Sequence, residues 1–239
     1  MSPTGTRTST VTAVAMSRGG GLARTLQIPD GGSLAVRAVK PSGDCFYDCL
    51  DALLPRAPRE ERPSGRSAAL ADPQAMRDFV ADRMTQELFD LYAMYAMAGV
   101  EDFSWMHHHR APADLAALQE YAKKSGKESG AGQCLWADEH ALQTISAEAR
   151  VTLLIIDEQA ISSRGSRSGR RRGTNDDGPD GRFLAIGKHS NAVILHRSRR
   201  QHYNAVVVND TPTIALDALP PATVRFWARF FCSCVRVVA

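Results

Sequence analysis

Pro41-Ser42-Gly43-Asp44-Cys45-Phe46-Tyr47-Asp48-Cys49-Leu50 is the stretch on which the reading of the chain turns. A short polar turn gives way to Phe46, Cys49, Leu50, Leu53 and Leu54 at helical spacing, so a helix opens beside Cys45 and buries one face. The first N–H groups of a helix point outward without intrahelical partners, and with the helix dipole they favour a thiolate over a thiol. Gly43 permits a sharp turn and a close approach to the cysteine. Free cysteines are more often small buried hydrophobes, so a nucleophile needs partners elsewhere in the chain.

Those partners stand in Gln201-His202-Tyr203-Asn204-Ala205-Val206-Val207-Val208, a β-branched run opened by a histidine. Strand side chains alternate between faces, which puts His202 and Asn204 on the same side. An asparagine carbonyl beside a histidine can accept its ring N–H, fix the tautomer and leave the other nitrogen to take a proton from Cys45. His189 and His196 lack such a neighbour in sequence.

Gly43-Asp44-Cys45-Phe46 before an apolar helix, and His202-Tyr203-Asn204 on a late strand, resemble the nucleophile and histidine motifs of the ovarian tumour (OTU) family of papain-like cysteine proteases. Trp136-Ala137-Asp138-Glu139-His140-Ala141-Leu142-Gln143-Thr144-Ile145-Ser146, followed by an apolar run from Val151, is similar to the helix and strand between those motifs, and all three occur in family order across residues 34–209. The resemblance implies an α/β (α+β) fold with a small, mostly antiparallel sheet flanked by helices. It implies a Cys45, His202, Asn204 triad, an oxyanion hole of backbone amides from Ser42, Gly43, Asp44 and Cys45, and no metal or organic cofactor. The implied reaction is hydrolysis of the isopeptide or peptide bond after the C-terminal glycine of ubiquitin or a ubiquitin-like modifier. Ubiquitin, polyubiquitin chains and ubiquitinated proteins are then the implied partners. The sequence departs from the family pattern at Ser42, where an aspartate is usual; serine keeps the backbone N–H that such a hole uses.

A chain of 239 residues, 44% of them hydrophobic, suits one catalytic domain with tails. The net charge of +3 is too small to argue for nucleic acid by itself. Five cysteines without framework spacing suit a reducing compartment, cytoplasm or nucleus. No apolar run has the length of a membrane span, and a soluble monomer is expected.

Residues 1–33 read as a disordered tail, rich in Ser, Thr, Gly and Arg. An organelle transit peptide also suits Arg7, Arg18 and Arg24, although Gly19, Gly20 and Gly21 work against an amphipathic helix. A short strand is expected at 34–39, and a helical stripe of Met76, Phe79, Val80, Met84, Leu88, Leu91, Tyr92 and Tyr95 runs through residues 74–97. A helix follows at 112–124, then a flexible connection at 125–133 and a helix at 136–149. His107, His108 and His109 are adjacent, so they cannot all face one ion on a regular element, and they read as exposed. Val151-Thr152-Leu153-Leu154-Ile155-Ile156 reads as a strand buried on both sides, and runs at 183–186, 192–195 and 203–208 read as an antiparallel meander.

Residues 160–182, with Arg164, Arg167, Arg170, Arg171 and Arg172, read as a disordered insertion. Its arginines would also suit phosphate contacts with nucleic acid or nuclear import. The tail 210–239 carries Phe226, Trp227, Phe230 and Phe231 and would pack on the domain or dock a partner. Two other classes stand beside the protease: a ubiquitin-binding module without catalysis, and a nucleic-acid-associated protein.

Overall fold

In the computed structural model the described residues are 24–27, 33–54, 67–107, 111–130, 133–157, 183–198, 202–208 and 211–219. The expectations for most of residues 1–33, for His108 and His109, for the arginine-rich stretch 160–182 and for the chain from 220 onward lie outside them. Two compact units result: Lys40–Arg150, and Met1–Val39 with Val151–Ala239. Residues 34–209 therefore contribute to both.

The second unit is a seven-stranded sheet. Its strands are β1 (Arg24–Gln27), β2 (Ser33–Arg37), β3 (Val151–Asp157), β4 (Phe183–Ile186), β5 (Asn191–Ser198), β6 (His202–Val207) and β7 (Ile214–Ala215). Their order is β1-β2-β6-β5-β3-β4, with β7 on the start of β5. Among the described residues only β3 and β5 run parallel; every other neighbouring pair is antiparallel, as the sequence indicates. Val36, Val206, Ile194 and Leu154 lie opposite one another across four strands. With Leu34, Ile156, Ala192, Val208 and Leu219 they form the core of one face. Leu153, Ile155, Val193, Leu195, Ala205 and Val207 bury the other, so β3 and β5 are apolar on both sides.

This two-sided burial corrects the expected meander. β5 and β6 do form an antiparallel pair, but β4 lies beyond β3, which is inserted between β4 and β5. A strand that is apolar on both faces suits the interior of a sheet, and β4 and β5 pair with the two edges of β3. Thr152, the one polar residue of that run, is satisfied by His189: its hydroxyl donates to the His189 carbonyl and accepts the His189 N–H, each at 2.9 Å. At the other edge β1, which lies inside the stretch read as a tail, pairs with β2 and satisfies backbone groups that β2 would otherwise leave unpaired. Past β6, Leu219 joins the core and Ile214 and Leu216 pack against it, so the start of the 210–239 segment packs on the sheet.

The Lys40–Arg150 unit holds α1 (Cys45–Leu53), α2 (Pro73–Ala81), α3 (Gln86–Met97), α4 (Leu115–Lys123), α5 (Gly126–Ser129) and α6 (Glu139–Ala149). α2 is its hub, packing on α1, α4 and α6 through Met76, Val80 and Ala81. The expected stripe at 74–97 is two helices, because Thr85 caps a new helix by accepting the Leu88 N–H. Met84 stays buried in the turn between them, so the apolar spacing continues where the backbone does not. Asp72, Asp114 and Asp138 cap α2, α4 and α6 in the same way. Residues 125–133, read as a flexible connection, instead contain α5, for a reason that belongs to the turn before Cys45.

Leu154→Ala should lower stability by about 2–5 kcal/mol in urea titration, whereas Leu184→Ser on the exposed edge strand should change it by less than about 0.5 kcal/mol.

Candidate active site

Ser42, Gly43, Asp44 and Cys45 are all buried. Gly43 has φ +86°, in the left-handed region that favours glycine, and this sets the sharp entry into α1. Cys45 is the first residue of α1, and the Asp44 carbonyl accepts the Asp48 N–H at 2.9 Å to start the helix. Aspartate is a good side-chain cap, yet Asp44 makes no such bond to α1.

Its carboxylate is held elsewhere. Arg77 Nε on α2 donates to Oδ1 at 2.6 Å, Gly126 N–H to Oδ1 at 3.0 Å, Ser125 Oγ to Oδ2 at 2.8 Å and Lys127 N–H to Oδ2 at 2.9 Å. Burial alone would raise the Asp44 pKa. The Gly126 N–H, the Ser125 hydroxyl, the Arg77 charge and the Lys127 N–H outweigh it and hold the carboxyl below its ordinary value. Arg77 is itself only 1% exposed. Its Nη1 donates to the carbonyls of Ala122 and Leu135 at 3.1 and 3.0 Å, its Nη2 donates to the Gly43 carbonyl at 2.8 Å, and the guanidinium lies 4.7 Å from the Tyr47 ring centre.

Gly126 closes the arrangement. A Cβ there would fall 1.9 Å from the Ser42 carbonyl oxygen, so only glycine allows residues 125–127 to reach Asp44. Lys127 adds an ion pair from Nζ to Asp48 Oδ1 at 2.5 Å. The Asp44 N–H is met loosely by Ser42 Oγ, at 3.4 Å.

Cys45, Cys49 and Cys134 are all buried, and none of the three is in a disulfide. Burial, with Cys45 and Asp48 nearby, pushes the Cys49 thiol well up, and burial also raises Cys134. Neither is suited to be a thiolate. Cys49 fills the core, as its helical spacing suggests, with no measurable exposure. Among the described residues, no group of three or more His, Cys, Asp or Glu side chains could hold a metal ion.

In the sheet unit, His202 opens β6 and is half-buried; its Nδ1 is enclosed without a hydrogen-bond partner. Asn204 does not make the expected bond to that ring. Its Oδ1 accepts the Val39 N–H at 3.1 Å, which ties the chain leaving β2 to β6 just past the Arg37–Ala205 pair. His196 lies directly opposite Asn204 across β5 and β6 and is buried, so strand register gives it the asparagine neighbour that linear sequence does not.

Sequence reasoning selected Ser42, Gly43, Asp44 and Cys45 but missed Arg77, Ser125 and Gly126. One signal was present: Arg77 falls between Met76 and Val80 on a buried helical face, where a charge needs a counter-ion, and Asp44 adjoins an apolar helix with the same need.

No protein-family model matches the chain, and no curated protein matches it. Among solved structures, an ovarian tumour (OTU) domain in complex with ubiquitin is similar at 10% identity and TM-score 0.44, covering 85% of this chain and 87% of that one. The Hazara virus OTU bound to ubiquitin is similar at 16% identity and TM-score 0.35, over 84% of this chain and 97% of that one. The Taggert virus OTU domain protease matches at 12% identity and TM-score 0.36, over 78% and 93%. All three TM-scores lie below 0.5, so the chemistry is read from this chain's own residues.

Arg77→Leu leaves a buried carboxylate unpaired and should cost about 3–5 kcal/mol in urea titration. Because the Asp44 pKa is depressed by folding, its contribution is present above the ordinary carboxylate value of about 4 and is lost as pH falls through the lower folded value. Asp44→Asn should therefore be less stable than wild type at pH 7 and show a shallower decline in acid.

Proposed function

We propose that the chain is a cysteine hydrolase that cleaves isopeptide or peptide bonds after the C-terminal glycine of ubiquitin or a ubiquitin-like modifier. One observation carries this reading: Cys45 opens a helix behind a glycine at φ +86°, on a turn that a buried ion pair holds in a single shape. The ubiquitin assignment follows from the resemblance of the Cys45 and His202 motifs to those of the OTU family.

In the proposed reaction His202 takes the Cys45 thiol proton and the thiolate attacks the carbonyl carbon of the scissile bond. Backbone N–H groups of the turn from Ser42 to Cys45 receive the negative charge that develops on the carbonyl oxygen. The imidazolium protonates the leaving amine as the C–N bond breaks, leaving a thioester. Water, deprotonated by His202, cleaves the thioester to a carboxylate and restores the thiol. This requires the imidazole to come within hydrogen-bond reach of the Cys45 sulfur. Asn204 Oδ1 has a second lone pair beyond the one given to Val39, and the unpartnered Nδ1 of His202 is the group it would orient.

Ubiquitin bearing a C-terminal vinyl electrophile should label wild-type protein at Cys45; folded protein that resists labelling would be a binding module instead. Cys45→Ser and His202→Ala should each lower hydrolysis of linkage-defined diubiquitins more than about 1000-fold. Cys49→Ser should leave it largely intact, and Asn204→Ala should weaken it by less than about 100-fold.

A further inference from the structure

Arg77 reaches past Asp44 to a backbone carbonyl: Nη2 donates to the Gly43 oxygen at 2.8 Å while Nε holds Asp44 Oδ1 at 2.6 Å. The Gly43 carbonyl and the Asp44 N–H belong to one peptide group, which is planar and trans, so they point in opposite directions. Fixing the carbonyl on Arg77 therefore fixes the N–H on the far side. A peptide next to a glycine at φ +86° is otherwise easy to rotate, because glycine has no Cβ to resist it. The preceding peptide is fixed by a separate contact, since the Ser42 carbonyl is packed against Gly126.

We infer that Arg77 is a positioning residue for the oxyanion hole, locking the Gly43–Asp44 peptide so that the Asp44 N–H faces the oxygen of the reacting carbonyl. This rests on the proposed hydrolysis at Cys45 and adds to it a group that acts through the backbone of the turn. The ligand of the locked N–H in the resting protein is consistent with this role. Ser42 Oγ sits 3.4 Å from it, a long bond that an oxyanion, accepting charge-assisted hydrogen bonds at about 2.7–2.9 Å, displaces readily. Lysine at position 77 keeps a positive charge for Asp44, but a single ammonium cannot reproduce the planar fork that spans the carboxylate, Gly43, Ala122 and Leu135.

The test separates chemistry that needs an oxyanion hole from chemistry that does not. Hydrolysis of a ubiquitin C-terminal aminocoumarin amide forms a tetrahedral oxyanion. Alkylation of Cys45 by iodoacetamide forms an S–C bond as iodide leaves, and forms none. Arg77→Lys, shown to be folded by its urea transition, should lose about 100- to 1000-fold in kcat, the effect of losing one oxyanion donor, with KM little changed and Cys45 alkylated at the wild-type rate. Gly126→Ala, which disturbs the turn from its other side, is the second variant and should show the same selective loss. Leu154→Ala, in the core of the sheet unit, controls for stability alone: it should lower the urea midpoint while retaining kcat. Wild-type kcat in folded Arg77→Lys overturns the inference. So does a parallel fall in kcat and alkylation, or an equal loss of kcat in Leu154→Ala. Wild-type protein that hydrolyses no ubiquitin amide overturns the proposed function, and with it this inference; active wild type beside an unaffected Arg77→Lys overturns the lock alone.

Discussion

The buried ion pair between Asp44 and Arg77 is the interaction on which the helical unit depends. Taking two charges out of water costs several kcal/mol each, and their attraction repays this only when the remaining polar atoms are also satisfied. Here they are: the carboxylate accepts four hydrogen bonds, and the guanidinium also donates to three carbonyls. The bonds join the Cys45 turn, α2, the end of α4, the start of α5 and Leu135. What the pair contributes is therefore definition more than stability. Five separated pieces of backbone meet in one geometry, and that geometry is the one around the thiol.

The sheet unit solves a different problem. Its two faces are apolar through β3 and β5, but the start of β6 carries His202 and Asn204 on the same side as Val206 and Val208, beside the buried His196. Polar groups at the end of an apolar face are useful only if backbone and side chain account for them. Asn204 does so by holding Val39, which fixes the chain as it leaves β2.

What was legible in the sequence follows physical range. α1 and β3 are encoded by their own residues: the spacing of Phe46, Cys49, Leu50 and Leu53 in one, and unbroken β-branched and leucine residues in the other. Cys49 as a packing residue and the pairing of β5 with β6 were equally local. The neighbour of β4 was not, because strand order depends on which edge has unsatisfied hydrogen bonds after the rest of the sheet forms. The break between α2 and α3 was signalled only by Thr85, masked by the buried Met84. Residues 125–127 look like a polar linker because their role lies in backbone N–H groups, which every non-proline residue has, and in the absence of a side chain at Gly126. Asn204 was placed correctly on its strand face, but its partner, Val39, is 165 residues away in the chain.

The bond from Gly126 to Asp44 spans 82 residues. Closing so long a segment costs entropy before any contact rewards it. During synthesis, the cysteine emerges well ahead of the glycine that shapes its surroundings. A nascent or truncated chain ending before that glycine has the sulfur and the ion-pair residues but lacks the backbone N–H groups that complete the geometry around them.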